Sequence, residues 1–243
     1  MKRLASYFER QKAFWNVRDE ETAKFGRVAA DRQLSEANWE AAAAKDMDLL
    51  LEGIEPQPGW TCLEIGCGVG RLLEELRRRG PFERLIGLDI SESMIEFARK
   101  RLGADPKVSL FVNSGCDLKP VADSSVDFAY SYDVFIHLFD LEIVSGYLRE
   151  ARRVLKPDGV LRFNIRRFDP DEAFADTLGG TIAKWKFKLG LDSPGRHRWH
   201  PSEEGGFNGN AFTLREVRQL MRRCGLSMAD IRSDGFQFWC TVR

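Results

Sequence analysis

Between Trp60 and about residue 167, short apolar runs alternate with longer stretches in which apolar residues recur every three or four positions. That alternation is the signature of a parallel sheet with helices on both faces. The short runs place strands near 60–65, 84–88, 108–112, 127–131 and 160–165. Helices fall between them: one begins at Arg71, one is capped by Ser91, and a third starts near Asp140. The third carries Ile143, Tyr147, Leu148, Ala151, Val154 and Leu155 at helical spacing, so one face should lie on the sheet. Pro157-Asp158-Gly159 should end it and turn the chain into the next strand. Over residues 168–210 the alternation fails, and Gly179-Gly180, Pro194-Gly195 and Gly205-Gly206 read as an insertion over the sheet. The pattern then resumes with Thr213 capping a helix through Arg223, a stop at Cys224-Gly225, and strands near 226–232 and 236–242. The first 56 residues read as helices, the second running from Ser35 to Leu51. Tyr7, Phe8, Phe14 and Trp15 group on the first helix and Trp39 lies on the second, a distribution that ordinary packing explains.

One junction in this pattern carries chemistry. Cys62-Leu63-Glu64-Ile65 is a buried-strand run, Gly66-Cys67-Gly68-Val69-Gly70 a glycine turn, and Leu88-Asp89-Ile90 ends the neighbouring strand with an acid. A turn without side chains lets backbone approach a ligand closely, and an acid at the adjacent strand tip can accept hydrogen bonds from a ribose diol. A dinucleotide site would place a third glycine for the pyrophosphate where Arg71 stands. The spacing suits instead a nucleoside ligand with no phosphates and a charged amino-acid end. Three further runs follow in order: Asn113-Ser114-Gly115-Cys116-Asp117-Leu118, Ser125-Val126-Asp127-Phe128-Ala129-Tyr130-Ser131, and Arg153-Val154-Leu155-Lys156-Pro157-Asp158-Gly159-Val160-Leu161.

Taken together, these runs resemble the class I S-adenosylmethionine-dependent methyltransferases, over roughly residues 57 to 167. The resemblance implies an α/β fold: a doubly wound, Rossmann-like, seven-stranded, mostly parallel sheet with an antiparallel last strand and helices on both faces. It divides the chain into an N-terminal helical lid (1–56), a cofactor-binding core (57–167), a substrate-side insertion (168–210) and a closing helix and strand pair (211–243). The implied cofactor is S-adenosyl-L-methionine, with S-adenosyl-L-homocysteine as product. The glycine turn would lie under its methionine part, and Asp89 would hold the ribose hydroxyls. The cofactor-binding residues so implied are Glu64, Gly66, Cys67, Gly68, Gly70, Asp89, Ile90, Ser114, Gly115, Cys116, Asp117 and Ser131. The family's acid after the third strand is missing near Ser114, which leaves adenine to the Asn113–Cys116 backbone or to Asp117 after a loop shift. The N-terminal helices would fold over the cofactor, with Tyr7, Phe14 or Trp15 in contact.

Methyl transfer from a sulfonium needs mainly alignment, with a base only where the acceptor holds a proton of high pKa. His137, one of three histidines, follows the fourth strand and is the candidate general base, or else it packs the start of the next helix. Asp133 and Tyr132 are further catalytic candidates, with loop capping and sheet packing as their structural alternatives. Arg196-His197-Arg198-Trp199-His200, in the insertion, could grip an acidic or aromatic acceptor, or be a solvated loop. No cysteine or carboxylate beside its histidines completes a metal-ligand set, so no metal is expected.

Charge narrows the partner. Lys plus Arg and Asp plus Glu are equal at 37 each, without the basic excess that accompanies phosphate-backbone binding, so a small-molecule acceptor is expected and nucleic acid is not. No run is long and apolar enough to span a bilayer, and Met1-Lys2-Arg3 leads into mixed charge, so the expectation is a cytoplasmic chain off the membrane, monomeric or homodimeric. Five cysteines without a Cys-x-x-Cys pair read as free thiols. Two rival readings remain. An NAD-dependent oxidoreductase is disfavoured by Arg71 and by the lack of a Tyr-x-x-x-Lys pair after the fourth strand. The other is a cofactor-binding partner subunit without turnover.

Overall fold

The computed structural model describes residues 2–24, 35–138, 141–169, 178–189 and 211–243. Two N-terminal helices, α1 (Lys2–Trp15) and α2 (Glu36–Leu51), precede β1 (Thr61–Ile65), α3 (Arg71–Arg79), β2 (Arg84–Asp89), α4 (Glu92–Leu102), β3 (Val108–Val112) and β4 (Val126–Ser131). There follow α5 (Leu141–Val154), β5 (Leu155–Arg166), α6 (Leu178–Lys188), α7 (Leu214–Arg223), β6 (Met228–Ser233) and β7 (Gln237–Val242).

The strands form one sheet in the order β3-β2-β1-β4-β5-β7-β6. Strand β7 runs antiparallel to both β5 and β6, whereas the other pairs are parallel. This is the doubly wound, mostly parallel architecture expected from the sequence. The strand order reverses between β1 and β4, and the crevice outside the carboxyl ends of strands at such a reversal is where ligands bind in open α/β sheets.

Alternation along the strands sorts the core into two layers. Leu63 and Ile65 of β1, Ala129 of β4 and Leu161, Phe163 and Ile165 of β5 pack with Ile143, Tyr147, Leu148 and Ala151 of α5 and Val217, Leu220 and Met221 of α7. Cys62, Phe128, Tyr130 and Val160 point the other way, onto Met47 and Leu50 of α2, Leu72, Leu73 and Leu76 of α3 and Ile95 of α4. The helix starts follow the sequence. Ser91 Oγ accepts from Met94 N, Ser35 Oγ from Asn38 N, and Thr213 with Glu216 forms a reciprocal capping box. Arg162, buried on β5, donates to the carbonyls of Leu49 and Glu52, each at 2.8 Å, and so ties the end of α2 to the sheet.

One boundary differs from expectation. Strand β5 begins at Leu155 and runs through Pro157-Asp158-Gly159 rather than starting after a turn. Val126 pairs with Leu155 but Phe128 with Val160, so the extra residues bulge against Asp127. Asp127 anchors that bulge by accepting from Lys156 Nζ at 2.8 Å and from Thr61 N at 2.8 Å. Among the described residues no helix is long and apolar enough to cross a membrane. The five cysteines are free, and all but Cys116 are buried.

Candidate active site

A cavity opens at the reversal point. Its walls take Glu64 from β1, Gly66, Cys67 and Gly68 from the turn, Arg71 and Leu72 from α3, Asp89 and Ile90 from the end of β2, and Met94 from α4. Asn113 and Gly115 come from beyond β3, Tyr132, Asp133, Val134, His137 and Leu138 from beyond β4, Tyr147 from α5, and Tyr7, Phe8, Gln11 and Trp15 from α1.

The glycine turn is built by backbone that only glycine adopts readily. Gly66, Gly68 and Gly70 have φ of +77°, +51° and +78°. Gly66 N and Cys67 N both donate to Leu88 O, at 2.7 and 2.9 Å, while Gly68 N donates to Asp89 Oδ2 at 2.9 Å. Asp89 Oδ1 accepts from Ser91 N at 2.9 Å, so this one carboxylate joins the turn to the cap of α4. Each of its oxygens has room for a second bond. Burial raises the Asp89 pKa, against the lowering pull of the N–H groups of Ser91, Gly68 and Ile90. Glu64 is 3% exposed; burial pushes its carboxyl up to about 8, opposed by the hydrogen bond from Tyr130 Oη to Oε2 at 3.1 Å and by Arg71.

Beyond β3, Asn113 Nδ2 donates to Tyr147 Oη and to Asp117 O, each at 3.1 Å, and its Oδ1 accepts from Gly115 N. Gly115 permits a close approach, since a Cβ there would lie 2.7 Å from Phe8 Cδ1. The loop after β4 is held differently. Asp133 has φ +55°, a left-handed conformation costing about 1–3 kcal/mol. Its N–H donates to Asn164 Oδ1 at 2.8 Å, and its Oδ1 accepts from Asn164 Nδ2 and, at 3.4 Å, from Gln237 Nε2. Burial raises the Asp133 pKa more than these donors lower it. Tyr132 Oη donates to Asp46 Oδ1 at 2.7 Å and its ring lies 5.8 Å from that of Trp239; burial, Asp133 and Asp46 push the phenol above its ordinary range.

Helix α1 is attached to this loop and to α4. Tyr7 Oη donates to His137 O at 3.2 Å, the Trp15 indole sits edge-on to the His137 imidazole at 5.1 Å, and Ser91 Oγ donates to Trp15 O at 3.1 Å.

Of the residues singled out in the sequence, Glu64, Gly66, Cys67, Gly68, Asp89, Ile90, Gly115, Tyr132, Asp133 and His137 share this cavity. Gly70, Ser114, Cys116, Asp117 and Ser131 do not line it, each for a local reason. Gly70 caps α3, where a Cβ would meet Leu102 Cδ1 at 3.0 Å, so it serves the approach of α3 to α4. Ser131 Oγ is spent on Ile65 O at 3.0 Å, latching β4 to β1. Ser114 Oγ donates to Asp117 Oδ2, and Asp117 also faces Lys119, so both turn outward; Asp117 titrates low through Ser114 and Lys119 despite partial burial. The Cys116 carbonyl lies over Gly146 of α5, 3.1 Å from where a Cβ would stand. Phe14 is likewise absent from the wall. The segment Arg196–His200 lies outside the described residues. The thiols of Cys62, Cys67 and Cys240 are pushed up by burial, which leaves them packing groups rather than nucleophiles. Sequence reasoning missed Phe8, Gln11, Arg71, Leu72, Met94, Leu138 and Tyr147 as wall residues. Of these, Phe8 had a signal in its place beside Tyr7 in the aromatic group, and Gln11 in its helical spacing of four from Tyr7 and from Trp15.

Residues 63–163 match a family model described as a methyltransferase domain. Over 126 residues the chain is 31% identical to a ribosomal RNA small subunit methyltransferase C of Pseudomonas syringae, covering 50% of this chain and 38% of that protein. It is 25% identical to a ubiquinone biosynthesis O-methyltransferase of Neisseria meningitidis, covering 90% of this chain and 86% of that one. The curated relatives matched over about half of this chain are themselves covered to only 32% to 42% of their length. In fold it superposes on a geranyl diphosphate C-methyltransferase from Streptomyces coelicolor, solved with geranyl diphosphate and S-adenosyl-L-homocysteine, at a TM-score of 0.63, 17% identity and 97% coverage of both chains. Sheet order, glycine turn and family match coincide on the same residues, so residues 63–163 form a methyltransferase domain on the class I S-adenosylmethionine-dependent fold.

Proposed function

We propose that the protein transfers a methyl group from S-adenosylmethionine to an oxygen, nitrogen or carbon atom of a small metabolite bound in this cavity. The observation that carries the reading is the convergence of the glycine turn, Asp89 and the loop after β4 on one enclosed space at the sheet's reversal point. The residues fit a nucleoside cofactor. Asp89 keeps acceptor capacity for a ribose diol, the turn offers side-chain-free backbone, and Asn113, Gly115 and Ile90 form a wall suited to an adenine ring.

The cofactor, when bound, supplies a methyl group already activated by the sulfonium charge. The chain's own residues then act by alignment and exclusion of water. Residues 1–56 serve as a lid, in which Tyr7, Phe8, Gln11 and Trp15 close one side of the cavity. Residues 57–167 hold the cofactor and 211–243 complete the sheet, while the substrate-side cap expected over 168–210 falls largely outside the described residues. His137 takes up the proton that an acceptor hydroxyl or ammonium group must lose. Asp133, fixed through Oδ1 by Asn164 and Gln237, presents its other oxygen to the acceptor. Tyr132, whose hydroxyl is engaged by Asp46, shapes the wall.

An RNA acceptor is the second reading, because one relative is named for ribosomal RNA. The equal count of 37 basic and 37 acidic residues favours a small acceptor. Incubation with methyl-labelled S-adenosylmethionine, a small-metabolite extract and ribosomal RNA separates the two. Label is expected in the small-metabolite fraction. Label in RNA alone would refute the small acceptor, and tight cofactor binding without label in either would indicate a silent partner subunit.

A further inference from the structure

Helix α6 carries surface chemistry that methyl transfer does not use. Ile182, Trp185 and Leu189 recur at intervals of three and four residues, and Leu189 N donates to Trp185 O at 2.9 Å, so the three fall on one stripe of the helix. Trp185 and Leu189 are the most exposed large apolar side chains among the described residues, at 63% and 66%, and Ile182 is 49% exposed. With 3.6 residues per turn, Lys186 borders the stripe beside Ile182 and Lys188 borders it beside Trp185, both exposed. Lys184 adds a third cation, and no acid lies between Leu178 and Leu189, in a chain whose basic and acidic residues balance at 37 each. Among the described residues α6 packs closely against no other helix or strand. An eleven-residue helix with Gly179-Gly180 in its first turn is marginal in water by itself, so a surface that covers the stripe also holds the helix together.

We propose that α6 lies on an anionic lipid bilayer, with Ile182, Trp185 and Leu189 dipped into the apolar boundary and the lysines at the level of the headgroup charges. Charge complementarity selects this occupant. Lysine is depleted at protein–protein interfaces, whereas an apolar stripe that contains tryptophan and is edged by lysines is the arrangement of helices at a bilayer surface. The lysine stems follow the apolar boundary and keep their ammonium groups in water, beside the phosphates. Eleven residues rise about 16 Å, roughly half the hydrocarbon thickness, so the helix lies on the bilayer and does not cross it. In this the chain departs from the expectation of a protein off the membrane, which rested on the lack of a long apolar run and so bears on spanning alone. The contact needs no bound cofactor and stands apart from the methyl-transfer reading.

The test is co-sedimentation of the full chain with vesicles of mixed phosphatidylglycerol and phosphatidylcholine and with vesicles of phosphatidylcholine alone, alongside size-exclusion chromatography without lipid. The native protein should partition onto the anionic vesicles at least about tenfold more strongly than onto the neutral ones, and added salt should release it. Replacing the stripe by Trp185→Ser with Leu189→Ser, or its edges by Lys186→Gln with Lys188→Gln, should each weaken that partition about tenfold or more. Leu49→Ser, which removes an exposed apolar side chain from α2 instead, should leave it within about twofold. All five positions are exposed, so the variants should melt at the native temperature. Native protein that stays in the supernatant, equal partition onto the two vesicle types, or undiminished partition of the Trp185→Ser, Leu189→Ser variant would each overturn the inference. A native dimer that this variant abolishes, without vesicle binding, would overturn it as well and assign the stripe to a second copy of the chain.

Discussion

Glu64 makes this site expensive to fold at high pH, and the size of that effect follows from its burial. The side chain is 3% exposed, its ordinary pKa is 4.5, and burial raises it to about 8 in the folded chain. Between those two values the folded state retains a proton that the unfolded state has released, so stability falls as pH rises and the full loss is reached above about pH 8. At 1.36 kcal/mol per pH unit, a span of roughly 3.5 units amounts to about 3–5 kcal/mol, a sizeable part of a typical domain's stability. Glu64→Gln keeps an acceptor for Tyr130 Oη, which now bonds Glu64 Oε2 at 3.1 Å, and removes the ionisable group. The stability gap between variant and native protein, read from urea unfolding midpoints at constant ionic strength, should therefore widen in the variant's favour by about 3–5 kcal/mol from pH 5 to pH 9. Comparing the two proteins cancels most of the contribution of Asp89, whose pKa is also raised. A gap that stays flat across that range would refute the argument.

Other substitutions test the remaining walls. Asp89→Ala should weaken S-adenosylmethionine binding by about 1.5–3 kcal/mol, measured by calorimetry, and lower the melting temperature slightly, because the bonds from Gly68 N and Ser91 N go with it. Gly66→Ala should destabilise the fold by about 2 kcal/mol or more in thermal unfolding, since its φ is +77° and the new Cβ would stand 2.2 Å from Val134 Cγ2. His137→Ala should reduce turnover on the true acceptor about a hundredfold or more while leaving cofactor affinity near native, and full turnover would remove His137 as the base.

Much of this site was readable because local chemistry leaves few options. Gly66 and Gly68 occupy positive φ, and Asp89 sits at a strand tip two residues before its partner Ser91 N, although its bond from Gly68 N spans 21 residues. Ser91 and Thr213 act within their own helix ends, so the caps were visible as well. The missed features depend on pairs far apart in the chain. Asp46 with Tyr132, Asn164 with Asp133, and Tyr7 with His137 are separated by 86, 31 and 130 residues, and no periodicity encodes them. Tyr147 was expected on the sheet-facing side of α5, where it is buried; only the fold brings its hydroxyl to Asn113. The start of β5 was misplaced because the turn chemistry of Pro157-Asp158-Gly159 yields to the Lys156 to Asp127 contact and becomes a bulge. Ser114 and Asp117 were credited with ligand contact, but each satisfies the other's hydrogen bond in an outward-facing loop.

The most direct measurement of the central claim is calorimetric titration of the purified protein with S-adenosylmethionine, with NADH as the comparison ligand. A one-to-one complex with S-adenosylmethionine at micromolar affinity and no heat from NADH is the predicted result; NADH binding, or no binding of S-adenosylmethionine, would contradict it.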